Sequence, residues 1–436
     1  MRSATVMLLA LALVACEDKS NVAPVAEQPT EAIPFSPLEP APEVPTSDAP
    51  PEIPGQLLEK LAIEREGSFA LAEGSELTLP AVVALGNDGL AFAGQAWTRG
   101  DLDSAGESRR WIGVVSGKGK ARELEFGAGL IHAAISDGRG GALLVGTDGP
   151  GSDARAWFGA IDERGKVTSS VVVDRETRSE MVDVLAGHED GERALLLGNI
   201  GVEGWLVSVD ARGAIRWQSH VGNGSSAQIL AGVRIPGERG DVLAVGTQPD
   251  LGSEAAWWGR LARPADSDER FEQGKFEIEG ADPIRTLDAI VWLGDDMGFI
   301  ALGRAKRARE QAHDQVIAVG LDRNGQPTWT RLLDHFRAMQ IYGGTIHPDT
   351  PGAAHFVVRI PIGGDEPSAL AWIKMNAGVD GILIPRQLAG TAGWESAGFV
   401  EGRARSAISA YRRTETGIEW RVLPIDSGYV WEDPRR

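Results

Sequence analysis

An all-β fold built of repeated four-stranded units is what this sequence predicts, on three observations. Short apolar runs ending in glycine recur: LAFAG to Gly94, ALLVG to Gly146, LLLG to Gly198, LAVG to Gly246 and IALG to Gly303, with degenerate copies ending at Arg359 and near Ser409. A tryptophan marks the third strand of most copies, at Trp111, Trp157, Trp205, Trp258, Trp372 and Trp420, while the copy QVIAVGLD (315–322) has none. Asp-Gly and Asn-Gly type turns separate the runs, and no 3.6-residue periodicity competes with them. Seven copies about 50 residues apart predict a seven-bladed β-propeller, with six or eight blades left open.

The chain begins with a segment of another kind. Arg2 gives a positive start and residues 6–14 an apolar stretch of roughly ten residues, short of the about 20 needed to span a bilayer. LVAC (13–16) follows, ending on Cys16, the one cysteine of the 436 residues. This pattern resembles the lipobox of bacterial lipoproteins. The resemblance implies that residues 1–15 are a signal peptide and that Cys16 is acylated, so that a lipid bilayer is a partner. Several acyl chains at about 0.8 kcal/mol per buried CH₂ would make a stable anchor. The implied address is the cell envelope. Glu17 is not the aspartate that favours inner-membrane retention in enteric bacteria, so the outer membrane is expected, on its periplasmic or its outer face.

Residues 16–56 read as a disordered tether. They hold ten prolines and eight carboxylates against the single cation Lys19. Proline removes amide donors and like charges repel, so such a segment cannot bury a core. In polyproline II form, about 3.1 Å per residue would carry a domain up to roughly 120 Å from its anchor. The alternative is that part of it packs along the domain surface through Phe35 and Leu38.

Residues 57–436 form the repeat domain. LLEKLAIER (57–65) reads as a brief lead-in helix, and residues 62–71 as a strand that completes or pads the last blade. The second unit shows the grammar: IHAAIS (131–136), the turn DGRGG (137–141), ALLVG (142–146), a loop, AWFGAID (156–162), the turn ERG (163–165) and KVTSSVVV (166–173). DARGAIRW (210–217) and DRNGQPTW (322–329) resemble PQQ-like propeller repeats, in which a tryptophan after a turn glycine docks between blades. GKV (165–167) and GKA (119–121) depart from that motif. A chain with one cysteine also lacks the vicinal cysteine pair of quinoprotein dehydrogenases, so the resemblance concerns blade architecture and implies no cofactor.

Tryptophans at one repeat position are expected to fill gaps between blades. Trp97 breaks that register, which makes it a candidate for facing a partner. Loops between second and third strands, together with blade-to-blade connections, gather at one end of the channel, and variable loops on a rigid scaffold are where recognition resides. The fifth of them (304–314) carries Arg304, Lys306, Arg307 and Arg309 in an acidic chain and is the candidate partner-binding loop.

Other chemistry is weakly signalled. Asp101, Asp103 and Glu107 are too few for calcium, which takes six to eight oxygens. No nucleophile elbow, HExxH helix, phosphate loop or CxxC pair occurs. His132 and His355 lie in apolar strands and read as core residues. The net charge of −19 repels nucleic acid. The expected function is therefore non-catalytic: a membrane-anchored propeller that binds or scaffolds a protein or other cell-envelope partner. The alternative is an enzyme acting on envelope glycans, or a sugar-binding module, with its site in the channel. Two carboxylates about 5 to 10 Å apart beside a stacking tryptophan would mark a glycosidase.

Overall fold

A computed structural model divides the chain into two units, Met1–Pro51 and Glu52–Arg436. The structure describes residues 64–72, 75–98, 108–149, 151–174, 177–188, 190–221, 226–236, 240–250, 253–262, 270–275, 284–305, 314–346, 350–361, 368–377, 386–388, 390–401 and 407–425. Cys16, the tether, Asp101, Asp103, Glu107, Lys306, Arg307, Arg309 and most of the expected lead-in helix lie outside them. Arg65, read as the last residue of that helix, instead opens a strand.

The described strands form sets of four, each antiparallel within itself. β1 (Arg65–Ala70) comes first in the chain and joins the last set. The first set is β2 (Ser75–Leu85), β3 (Gly89–Thr98), β4 (Ser108–Val115) and the first half of β5 (Ala121–Ser136). The second half of β5 begins the next, with β6 (Ala142–Asp148), β7 (Arg155–Ile161) and β8 (Val167–Val172). β9 (Ser179–Ala186), β10 (Ala194–Ile200), β11 (Glu203–Val209) and β12 (Ile215–Val221) make the third. β13 (Gln228–Arg234), β14 (Val242–Asp250), β15 (Ser253–Ala262) and β16 (Arg270–Lys275) make the fourth.

The fifth set is β17 (Ile284–Gly294), β18 (Gly298–Ala305), β19 (Gln315–Leu321) and β20 (Pro327–Arg337). The sixth is β21 (Gln340–Ile346), β22 (Ala353–Ile360), β23 (Ala369–Asn376) and the two-residue β24 (Arg386–Gln387). β25 (Glu395–Glu401), β26 (Ala407–Thr414) and β27 (Gly417–Pro424) take β1 as their fourth strand, in register from Arg65↔Val422 to Ala70↔Gly417. The segment expected to complete or pad the last blade completes it. The two ends of the domain are thereby hydrogen-bonded to each other.

The innermost strands touch in cyclic order, β2, β5, β9, β13, β17, β21, β25 and again β2. β25 even pairs in parallel with β2 at Val82↔Val400 and Val83↔Glu401. Among the described residues, one buried apolar cluster lies in each seam between neighbouring sets. The fold is thus an all-β propeller. Second and third strands are covered on both faces, which is why ALLVG and VIAVGL read as unbroken apolar runs and are buried throughout. The outer β8, with one face toward solvent, reads VTSSVV and is mostly exposed or half-exposed.

The recurring glycine has a steric cause. A Cβ on Gly94, Gly146, Gly198, Gly246 or Gly303 would stand 1.8, 2.0, 2.1, 1.9 or 2.0 Å from a carbonyl oxygen of the innermost strand beside it. That strand carries a bulge at this level in every set. Two residues then face one on the partner strand, and the bent backbone presses on it. Where the second strand lacks the glycine, the inner strand supplies one, Gly343 (φ 131) in the sixth set and Gly398 (φ 79) in the last.

The tryptophans do fill the seams, but from two faces of the third strands. Trp111, Trp157 and Trp205 stand opposite Gly94, Gly146 and Gly198 and pack toward the preceding set. In the fourth set the residue opposite Gly246 is Trp257, not Trp258. Trp258, Trp372 and Trp420 pack toward the following set. Successive strand residues point to opposite faces, so a shift of one residue moves the ring to the other seam.

Candidate functional site

The two ends of the propeller differ in construction. At one end, turns between first and second and between third and fourth strands are closed by aspartate. Asp162 Oδ1 accepts the amides of Arg164 and Lys166 at 2.9 and 2.7 Å, and Asp210 and Asp322 repeat the pattern. The Ala214 and Arg212 amides hold the Asp210 carboxyl below its ordinary range. Burial would raise Asp137, but the Arg139 and Gly141 amides and Arg193 outweigh it, and the net shift is downward.

Arginines sew these turns together across the seams. Arg65 donates to the Asp88 and Ser116 carbonyls at 2.6 and 3.1 Å, Arg193 to Asp137 at 2.5 Å, Arg234 to Glu192 at 2.9 Å and Arg260 to Asn324 at 2.9 Å. This end of the disc is locked by its own polar groups.

The innermost strands enclose a cavity of about 970 Å³. The inner-strand bulges decide what lines it, because a bulge re-aims one side chain out of the alternating pattern. In the first, third and fourth sets the bulged residues are apolar: Leu79 with Pro80, Val182 and Leu230. In the second, fifth and sixth they are His132, Asp288 and Tyr342. Beside Tyr342 the last set adds Glu395 and Tyr411, so the fifth, sixth and last sets form one polar arc.

Within the arc, Asp288 accepts both Nε and Nη2 of Arg304, at 3.0 and 2.9 Å. Tyr411 donates to Glu395 Oε2 at 2.8 Å, and Arg359 Nη1 stands 3.7 Å from Glu395 Oε1. Burial, reinforced by the Glu395 charge, pushes the Tyr411 hydroxyl far up. Burial also raises Tyr342, to about 12, against the pull of Arg359. Both phenols are neutral near neutral pH. Arg359 and the Ser396 amide lie near the Tyr342 hydroxyl without meeting it in hydrogen-bonding geometry. Across the channel, burial lowers His132 against the opposing field of Glu180, and its Nε2 is buried without a hydrogen-bond partner.

Of the residues singled out from sequence as a partner-binding loop, only Arg304 and Trp97 are described, and they stand in different sets. Arg304 belongs to β18 rather than to a loop, and its fork is committed to Asp288. Lys306, Arg307 and Arg309 lie outside the described residues. Trp97 sits half-buried at the loop end of β3, with the Arg413 guanidinium 5.4 Å from its ring centre and Arg413 paired to Glu76 at 3.0 Å. It marks the seam between the last and first sets. His355 is buried and packs edge-on against Trp372 at 5.0 Å.

Sequence reasoning passed over Asp288, Tyr342, Glu395 and Tyr411. The signal that could have found two of them was polar residues inside otherwise apolar inner runs, as in LDAIVW and QIYGG. No tryptophan is among the described residues lining the cavity. Among the described residues no group of three or more His, Cys, Asp or Glu is placed to hold a metal, and no helix is long and apolar enough to cross a membrane.

No protein-family model matches the chain and no curated protein matches it. Among solved structures it is similar to Sqt1 of Chaetomium thermophilum, at 10% identity and a TM-score of 0.49, covering 84% of this chain and 98% of that one. It is also similar to the Nup133 β-propeller domain of Vanderwaltozyma polyspora, at 9% identity and 0.44, covering 82% and 100%. The K499G mutant of NanB sialidase from Streptococcus pneumoniae shows 9% identity and 0.44, covering 83% and 71%. All three scores lie below 0.5, and the fold assignment rests on the strand pairing described above.

Proposed function

We propose that this protein is an exported lipoprotein of the cell envelope, acylated at Cys16 and held at the outer membrane, whose propeller binds a protein partner without chemistry of its own. One observation carries the binding reading. Arginines tie neighbouring turns together across several seams at one end of the disc, whereas the channel is a preformed cavity with a polar arc in its wall. Preformed concave sites with a few placed polar groups are the usual form of a binding site.

The carboxylates of the arc support binding over glycan hydrolysis. Asp288 is held by the Arg304 fork and Glu395 accepts from Tyr411, so both carboxylates are already engaged by neighbouring side chains, and no tryptophan among the described lining residues offers a sugar a stacking face.

Two exposed methionines on opposite ends of the disc provide the test. Met339 precedes β21 at the loop end, and Met297 lies in the turn between β17 and β18. A photo-crosslinking amino acid at Met339, in cells carrying the native lipoprotein, is expected to give one discrete protein adduct, and the same group at Met297 none. Equal adducts from both sites, or none from either, would count against a loop-end binding face. Cys16→Ser is expected to abolish metabolic labelling with palmitate and release the protein from the membrane fraction; retained labelling would remove the anchor from the proposal.

A further inference from the structure

The wall of the cavity has a charge pattern that the binding reading does not itself specify. Its described ionisable lining residues are three carboxylates, Asp183, Asp288 and Glu395, with His132, Tyr342 and Tyr411, and no lysine or arginine is among them. Arg304 and Arg359 reach two of the carboxylates without lining the cavity. Two polar atoms of this wall, His132 Nε2 and Tyr342 Oη, are buried without a hydrogen-bond partner. Buried polar groups are nearly always partnered, and an exception on a cavity wall points to a group that arrives with a ligand.

The carboxylates that line this wall suit a guest that donates hydrogen bonds and carries positive charge. Glu395 Oε1 has its nearest ion-pair contact at 3.7 Å, beyond hydrogen-bond length. A neutral phenol and a neutral imidazole can each accept from an N–H. An anionic guest would instead meet three carboxylates in a chain of net charge −19, whose long-range field draws cations inward. The cavity, about 970 Å³, is at the upper end of the roughly 300–1,000 Å³ of ligand pockets and admits a side chain with its flanking backbone.

We propose that the polar arc is a receptor for a lysine or arginine side chain presented by a basic segment of a protein partner. This rests on the binding-module reading and names the chemistry of its guest. The ammonium or guanidinium lies against Glu395 and Tyr342, and the apolar lining residues such as Leu79, Pro80, Val182 and Leu230 accommodate the alkyl stem.

The test uses the full-length lipoprotein in detergent and fluorescein-labelled hexa-arginine, with hexaserine and hexaglutamate as companion probes, followed by anisotropy. Hexa-arginine is expected to bind and the other two not. Glu395→Gln, which keeps an acceptor for Tyr411, is expected to weaken hexa-arginine about ten-fold, as for one charge-assisted hydrogen bond. Tyr342→Phe, which removes only a hydroxyl, is expected to weaken it about three-fold and serves if the first variant does not fold by near-ultraviolet dichroism. Glu163→Gln, an exposed carboxylate in a turn of the sewn end, is expected to change nothing.

Equal weakening by Glu163→Gln and Glu395→Gln would mean diffuse attraction to an acidic surface and would overturn the proposal, as would unchanged binding in both cavity variants. The Met339 adduct separates the two readings. An adduct retained while the cavity variants have no effect on hexa-arginine leaves the binding module and removes its cationic guest. Cavity-dependent hexa-arginine binding with no adduct does the reverse.

Discussion

Gly146 shows how a single residue carries the architecture. A Cβ there would stand 2.0 Å from the Leu130 carbonyl oxygen and 2.9 Å from Ile131 Cα, both backbone atoms of a bulge that cannot retreat without breaking its ladder. Gly146→Ala should therefore destabilise the domain by about 2–3 kcal/mol, the scale of overpacking, read as a lower urea midpoint. Gly151, with nothing within 4 Å of a Cβ but φ at 53°, gives the contrasting case of conformational strain without a clash.

The tyrosines give a pH dependence at the same scale. Tyr342 has its folded pKa raised from 10 to about 12, so its neutral form is favoured by folding. That contribution is complete below pH 10 and is lost as pH rises toward 12. Stability measured by urea midpoints should fall across this window, and Tyr342→Phe should flatten the fall. A midpoint insensitive to pH between 10 and 12 in the wild type would contradict the burial of this hydroxyl.

At the scale of elements, β1 is the strand on which closure of the disc depends. Its Phe69 is buried against Trp111 at 5.0 Å, Phe92 at 5.5 Å and Trp420 at 6.4 Å, so one side chain joins the first and last sets. Gly67 admits the Trp420 ring, which a Cβ would meet at 2.6 Å. Phe69→Ala should cost about 3–5 kcal/mol and expose the seam to limited proteolysis. The inner strands matter for a second reason: their bulges, rather than their strict alternation, choose the residues that face the channel.

At the scale of the propeller, the contrast is between an end where arginines tie neighbouring turns together and a channel whose wall carries carboxylates from the third, fifth and last sets. Attraction between that wall and a cationic guest should weaken with salt, because the Debye length shrinks from about 10 Å at 0.1 M to about 3 Å at 1 M. Hexa-arginine affinity measured at both salt concentrations checks this, and equal affinities would argue for an apolar guest.

The sequence by itself determined the propeller class, because a glycine forced by a bulge, apolar runs covered on both faces and aspartate-closed turns are local demands that leave local traces. It left residues 62–71 to complete or to pad the last blade, and the pairing of β1 (Arg65–Ala70) with β27 decided for completion. Tertiary structure alone decided the site. Whether Trp257 or Trp258 faces a given seam depends on a one-residue register, and Arg304 reads as a loop cation until β18 places it on Asp288. Asp288, Tyr342 and Glu395 lie more than 50 residues apart in sequence in successive sets, and only the ring of inner strands brings them to one wall.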